Sequence, residues 1–241
     1  MDSLAWLLFL IGTAISRLGE RLDVPWLVYN PFLFGWFHLV SVRVAPGLYR
    51  ALQAAFPDAA RFADVGAGSG GMAAYGRRLG LDVVACEYSP IGRLLARIQG
   101  VPSMPFDVRA DSRRILGAEA DLAYCIEVAE HMPAELGERL VTFLGEAAPY
   151  VMFTAAPPGQ GGQGHINEQP REYWIDRFEK TGMTYLPELT DRLRQDLSEH
   201  LRYGLWISEN AMVFGRDATT PSDDPPARDA TKSTSISASR P

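Results

Sequence analysis

The chain has 241 residues, 47% of them hydrophobic and 22% charged, with a formal net charge of −6. That is ample for a buried core and fits one globular domain, alone or with a small accessory element. The acidic balance suits a neutral or small-molecule acceptor and disfavours a long nucleic acid, which would call for a basic footprint.

Residues 4–15, "LAWLLFLIGTAI", are apolar enough to imitate a signal-peptide core. They lack a positive flank and a small-residue cleavage site, and the stretch is shorter than a bilayer span. It reads as a helix packed on the domain, with contact to a membrane surface as the less favoured reading. Residues 1–58 are rich in aromatics (Trp6, Trp26, Tyr29, Phe32, Phe34, Trp36 and Phe37), and Pro25, Pro31 and Gly35 are expected to break them into short helical pieces forming a cap.

From residue 59 to 216, strand-like runs alternate with helical patterns. "RFADVG" and "LDVVACE" predict two strands, each followed by a helix. Ser89 as N-cap, Pro90 at the first position and Gly100 beyond the end frame the second helix. A third strand is expected near 103–106, a fourth in "DLAYCIE" and a fifth in "YVMFTAA". Between the last two, Pro133 opens a helix with Leu136, Leu140, Phe143 and Leu144 at helical spacing. This alternation predicts α/β architecture with a doubly wound parallel sheet, whose ligands bind outside the carboxyl ends of the strands. Residues 217–241 carry almost no large apolar side chain and are expected to be a disordered tail. Cys86 and Cys125 end strand-like runs, read as buried thiols of a reducing compartment, and imply no disulfide framework; a cytoplasmic location is the expectation.

The first strand runs into Asp64-Val65-Gly66-Ala67-Gly68-Ser69-Gly70-Gly71. Glycines there permit a tight turn and bring a ligand against backbone N–H groups. Glu87 ends the next strand about 20 residues on, where a carboxylate can accept from both hydroxyls of a ribose. Together they indicate an adenosine-type cofactor rather than a bare turn with a surface acid. Gly66, Gly68 and Gly71 also satisfy G-x-G-x-x-G, so a dinucleotide is a rival; Asp64 favours a cofactor with an amino group and no pyrophosphate.

On these residues the chain resembles the class I S-adenosylmethionine-dependent methyltransferases, over roughly residues 60–215. "DVGAGSG" is similar to their first motif. The resemblance implies a Rossmann-like seven-stranded sheet, with Asp64, Gly66, Gly68, Glu87 and Asp107 (in "PFDV") around S-adenosylmethionine. "DLAYCIEVAEHMP", "FTAAPPGQGGQGHINEQPREYW" and "ENAMVF" resemble a bacterial branch acting on small molecules or sugars, which implies O-methylation of a hydroxyl. In this superfamily accessory segments commonly build the acceptor pocket, so the N-terminal zone is either a cap or a lid, with Tyr173 and Trp174 adding to one wall.

"EVAEH", residues 127–131, lies in the turn after the fourth strand, and His165, Asn167 and Glu168 follow the fifth. Glu-x-x-Glu-His with a later histidine also resembles the metal site of the small-RNA 2′-O-methyltransferases. That likeness implies Glu127, Glu130, His131 and His165 as ligands of a divalent Mg, Mn, Fe or Zn ion. His131 and His165 are equally candidates for a general base, and acids before a helix are also favoured by its dipole alone. A metal-dependent RNA 2′-O-methyltransferase, an NAD-type oxidoreductase and a non-catalytic cofactor-binding module stand as alternatives.

Overall fold

The computed structural model describes residues 3–110 and 120–216; the expected tail lies outside the described residues. Strands β1 (Arg61–Val65), β2 (Asp82–Glu87), β3 (Ser103–Pro105), β4 (Leu122–Ile126), β5 (Tyr150–Thr154), β6 (Met183–Tyr185) and β7 (Met212–Arg216) form one sheet. Its order is β3-β2-β1-β4-β5-β7-β6. The first five pair in parallel, and β7 runs antiparallel between β5 and β6. This is the Rossmann-like, mostly parallel seven-stranded sheet expected.

Successive strand residues point to opposite faces, and both faces are covered. Phe62, Leu122, Tyr124 and Val213 pack on one side with α3 (Pro31–Ala55) and α8 (Pro187–His200). Ala63, Ala123, Cys125 and Phe214 pack on the other with α6 (Ala134–Ala147) and α7 (Arg171–Glu179). That two-sided burial is why the strands read as continuous apolar runs rather than alternating ones. Helices α4 (Gly71–Arg78) and α5 (Pro90–Ile98) make the first crossovers, and Ser89 caps α5 through Gly92 N–H as expected. Cys86 and Cys125 are buried free thiols.

The N-terminal zone differs from its sequence reading in two ways. It is not a run of short pieces: α1 (Ser3–Leu22), the single turn α2 (Pro25–Val28) and α3 follow one another, and α3 runs unbroken through Gly35 and Pro46. Pro25 and Pro31 stand at helix starts, where a missing N–H costs nothing. The Asn30 side chain accepts from Phe32 and Leu33 N–H and donates to the Gly12 carbonyl, fastening the start of α3 to α1. Leu8 of α1 packs over Gly35, 3.4 Å from where a Cβ would stand, so the glycine serves close packing rather than a break. The second difference is length. The helix begun at Ser3 continues through Arg17, Glu20 and Arg21 to Leu22, and at 20 residues it is long and apolar enough to cross a membrane.

The carboxyl half of α3 belongs to the central layer. Val44, Leu48 and Leu52 are fully buried against the sheet, and the Tyr49 hydroxyl meets that of Tyr124 on β4 at 2.9 Å. Gly76 of α4 leaves room for the Tyr49 ring, which stands 2.3 Å from where a Cβ would be.

Candidate functional site

Two loop clusters stand at the carboxyl edge of the parallel strands. The first is the turn from β1 to α4. Gly66, Gly68 and Gly70 all take positive φ (78°, 55° and 73°), a conformation cheap only for glycine. At Gly68 nothing lies within 4 Å of where a Cβ would point, so the backbone there faces open space. Beside it the Glu87 carboxylate accepts from Gly68 N–H and Ser89 N–H, both at 2.7 Å. Burial pushes Glu87 up from the ordinary carboxylate range, opposed by those two amides and by Arg93. Each oxygen keeps a lone pair beyond the one it uses, enough to accept from two vicinal hydroxyls.

Asp64 lies beneath the turn, 5% exposed, and burial raises its carboxyl to about 7 against the lowering effect of the Tyr124 hydroxyl and Ala73 N–H. One of its oxygens is buried with no hydrogen-bond partner among the described residues. Asp107 sits beyond β3 with both oxygens engaged by Arg109, which holds its carboxyl below the usual range. The Arg109 guanidinium also lies over the Tyr88 ring, 5.3 Å from its centroid.

The start of α4 is covered. A Cβ on Gly71 would lie 2.1 Å from Ser41 Oγ and 3.3 Å from Val42, both on α3. His38 Nδ1 and Ser41 Oγ stand 3.2 and 3.3 Å from Ser69 Oγ. Phe34 reaches the Gly92 side of Glu87. Phe34 stood out in the sequence only as one of the N-terminal aromatics, and no spacing links His38, Ser41 or Val42 to residues 69–92; only the topology brings them together.

The second cluster follows β4 and β5, and Val128 joins the two, its side chain 2.5 Å from where a Gly66 Cβ would be. Glu127 takes φ 53°, a left-handed conformation rare outside glycine, with its N–H on Thr154. Its carboxylate accepts from Gln160 Nε2 at 2.8 Å and Asn210 Nδ2 at 3.1 Å. One 3-10 turn, Ala129–His131, then carries the other three residues of "EVAEH". The glycine-rich loop docks on it through Ile166 and Asn167 N–H, which donate to the Glu130 carbonyl.

Glu130 is fully buried, neither side-chain oxygen has a hydrogen-bond partner among the described residues, and burial with the nearby Glu127 charge raises its carboxyl strongly. The His131 and His165 rings meet edge to face, centroids 4.9 Å apart. Burial, then His165, lowers His131 to about 4, so its ring is neutral near pH 7. His165 Nδ1 lies 2.9 Å from Glu168 Oε1, and Glu168 is itself held by Gly159 and Gly161 N–H. Ligand atoms of Glu130, His131 and His165 all lie within 4.8 Å of one another; the Glu127 carboxylate is turned to Gln160 and Asn210 instead. Glu168 was visible in the sequence only as a neighbour of His165, and Gln160 and Asn210 carried no signal of their own.

Phe9, Leu10, Thr13 and Arg17 of α1 face Gly162 and Gln163 across a cavity of about 520 Å3 beside this cluster. Gln163 Nε2 lies 3.2 Å from Ser16 Oγ and 3.4 Å from Glu20 Oε1, joining the helix to the loop.

No protein-family model and no curated protein matches the chain. Solved structures do. A sugar N-methyltransferase from a Streptoalloteichus species matches at TM-score 0.54 and 16% identity, covering 72% of this chain and 87% of its own. An amino pentose methyltransferase from Micromonospora echinaspora, solved with S-adenosylmethionine bound, matches at 0.52 and 18%, over 72% and 90%. A TehB-like S-adenosylmethionine-dependent methyltransferase from Corynebacterium glutamicum matches at 0.51 and 17%, over 71% and 88%. At these identities the likeness is one of architecture: the chain has the Rossmann-like fold of S-adenosylmethionine-dependent methyltransferases.

Proposed function

We propose that the protein transfers a methyl group from S-adenosylmethionine to a hydroxyl oxygen of a small molecule or sugar. The observation that carries this reading is the pairing of an open, glycine-lined cradle at Gly68 and Glu87 with an imidazole–carboxylate pair at the next strand ends. Glu87 would hold the ribose hydroxyls, and the unpartnered Asp64 oxygen favours a ligand amino group nearby, directly or through water. Bound S-adenosylmethionine would supply an electrophilic sulfonium methyl. Glu168 fixes the His165 ring with Nδ1–H donating to it, which leaves Nε2 to take the proton from the acceptor hydroxyl. The cavity between the α1 helix and the glycine-rich loop would receive the acceptor.

A dinucleotide fits less well. Its pyrophosphate would need the N-terminus of α4, and Ser41 and Val42 cover that position. A second reading, a divalent ion on Glu130, His131 and His165, is favoured by the 4.8 Å grouping and the two unpartnered Glu130 oxygens. Binding would require Glu130 to ionise.

The test is transfer of a labelled methyl group to a panel of sugars and phenols, with His165→Ala and with EDTA. Turnover lowered about 10²- to 10⁴-fold in His165→Ala, with cofactor affinity intact, supports the base. Activity lost to EDTA and restored by Mg²⁺, Mn²⁺ or Zn²⁺ supports the ion. Full turnover in both His131→Ala and His165→Ala removes both roles.

A further inference from the structure

Helix α1 is inside out by the rules of a water-soluble surface helix. Its fully buried residues are Ala5, Gly12, Thr13, Ser16 and Gly19, small or polar, while Leu8, Phe9, Ile11 and Ile15 are half-buried along the edges of that strip. Its outward face carries Leu4, Trp6, Leu7, Leu10, Leu18 and Leu22, each between 41% and 59% exposed. A surface helix in water does the reverse, hiding its large apolar stripe. Small residues inward and large ones outward is how helices pack when the medium is itself apolar, because close backbone approach and not water expulsion then holds them. The close approach is present: a Cβ on Gly12 would lie 2.7 Å from Leu33 N, and one on Gly19 2.7 Å from Leu27 Cβ.

Charge says which apolar medium. No ionisable side chain occurs from residue 3 to 16, and the first two basic ones, Arg17 and Arg21, are exposed one turn apart. The acid between them, Glu20, is turned to Gln163 of the glycine-rich loop. An acidic protein of net charge −6 thus presents a cationic pair at the end of its apolar stripe, with Glu20 and the exposed Asp23 as the acids beside it. Phosphate headgroups bordering a hydrocarbon layer match both features. Although α1 is long enough to span a bilayer, its inner face is taken up by α3 and Gln163, which fits a helix lying along the surface.

We propose that α1 is an in-plane anchor: its leucine and tryptophan face enters the headgroup–acyl boundary of an anionic bilayer, with Arg17 and Arg21 at the phosphates. The same helix walls the cavity closed on its other side by Gly162 and Gln163 of the glycine-rich loop, so, on the methyltransferase reading above, the acceptor is an amphiphile delivered from that layer.

The experiment is co-sedimentation of the full chain with vesicles of phosphatidylcholine alone or mixed with phosphatidylglycerol, with tryptophan emission compared in parallel between wild type and Trp6→Phe. The expected result is binding to the mixed vesicles at least 10-fold tighter than to the neutral ones, with a blue shift. Leu7→Ser/Leu18→Ser and Arg21→Gln should each lose about 10-fold or more while keeping the wild-type melting temperature. Wild type left in the supernatant with anionic vesicles overturns the proposal. So does a concentration-dependent dimer that the double serine variant abolishes, which would make this face a self-interface. If the variants unfold, quenching of wild-type emission by lipids brominated near the headgroup decides, and its absence refutes the anchor. Binding needs neither cofactor nor acceptor, so failure here leaves the methyltransferase reading standing, and failure of that reading leaves the anchor standing.

Discussion

Asp64 is a carboxyl group that water scarcely reaches, and the sign of its pH effect follows from that. Burial raises it from 3.8 to about 7 in the folded protein. Between those values the unfolded chain releases a proton that the folded one retains. Its stabilising contribution is therefore complete below about pH 4 and lost as pH rises through 7. Asp64→Asn keeps the acceptor for Ala73 N–H and cannot ionise. The expected outcome, read by urea unfolding without ligand, is a variant that gains about 1–3 kcal/mol on wild type between pH 4 and pH 8. Glu87 makes the opposite kind of prediction. Glu87→Ala removes acceptors from the cradle and should weaken S-adenosylmethionine binding by about 1–3 kcal/mol in calorimetry; unchanged affinity would take Glu87 out of the site. Both acids were legible in the sequence because strand ends fix where they stand. The partners of Glu127 were not, since Gln160 and Asn210 reach it from 33 and 83 residues away.

At the scale of elements, the junction of α3 with α4 depends on a missing methyl group. The Tyr49 ring fills the place a Gly76 side chain would take, and its hydroxyl is tied to Tyr124. Gly76→Ala should cost about 1–3 kcal/mol in urea unfolding through overpacking of a ring that has no room to move. A neutral result would mean that the helices separate there freely. The first five strands and the helices between them could be read from apolar runs punctuated by Gly, Pro and Ser89, whereas β6 and β7 were not located. The N-terminal helices could not: proline and glycine signal breaks locally, while Leu8 over Gly35 and Asn30 on Gly12 are tertiary contacts that override them. The face each helix turns to its neighbour was hidden for the same reason, as small residues give no hydrophobic period.

For the whole molecule, ligand linkage separates the cofactor readings in one measurement. S-adenosylmethionine at about 100 times its dissociation constant should add about 2.7 kcal/mol to stability. In a chain of this size that raises the melting temperature by roughly 5–10 °C. NAD at the same concentration should leave it unmoved, because α3 covers the start of α4. A shift with NAD and none with S-adenosylmethionine would reverse the assignment.

The antiparallel β7 also has a meaning in time. It bonds to β5 on one side and β6 on the other, yet it is made after both. During synthesis from the N-terminus, β5 therefore presents a bare edge and β6 has no neighbour until residues 212–216 arrive. An unpaired edge of that kind is a template for another chain. Chains stopped before Met212 should aggregate rather than accumulate as a soluble six-stranded form, as centrifugation of released nascent products would reveal. Met212 to Arg216 thus act as the closing stitch of the newborn protein, and a delay in making them lengthens the interval in which it is sticky.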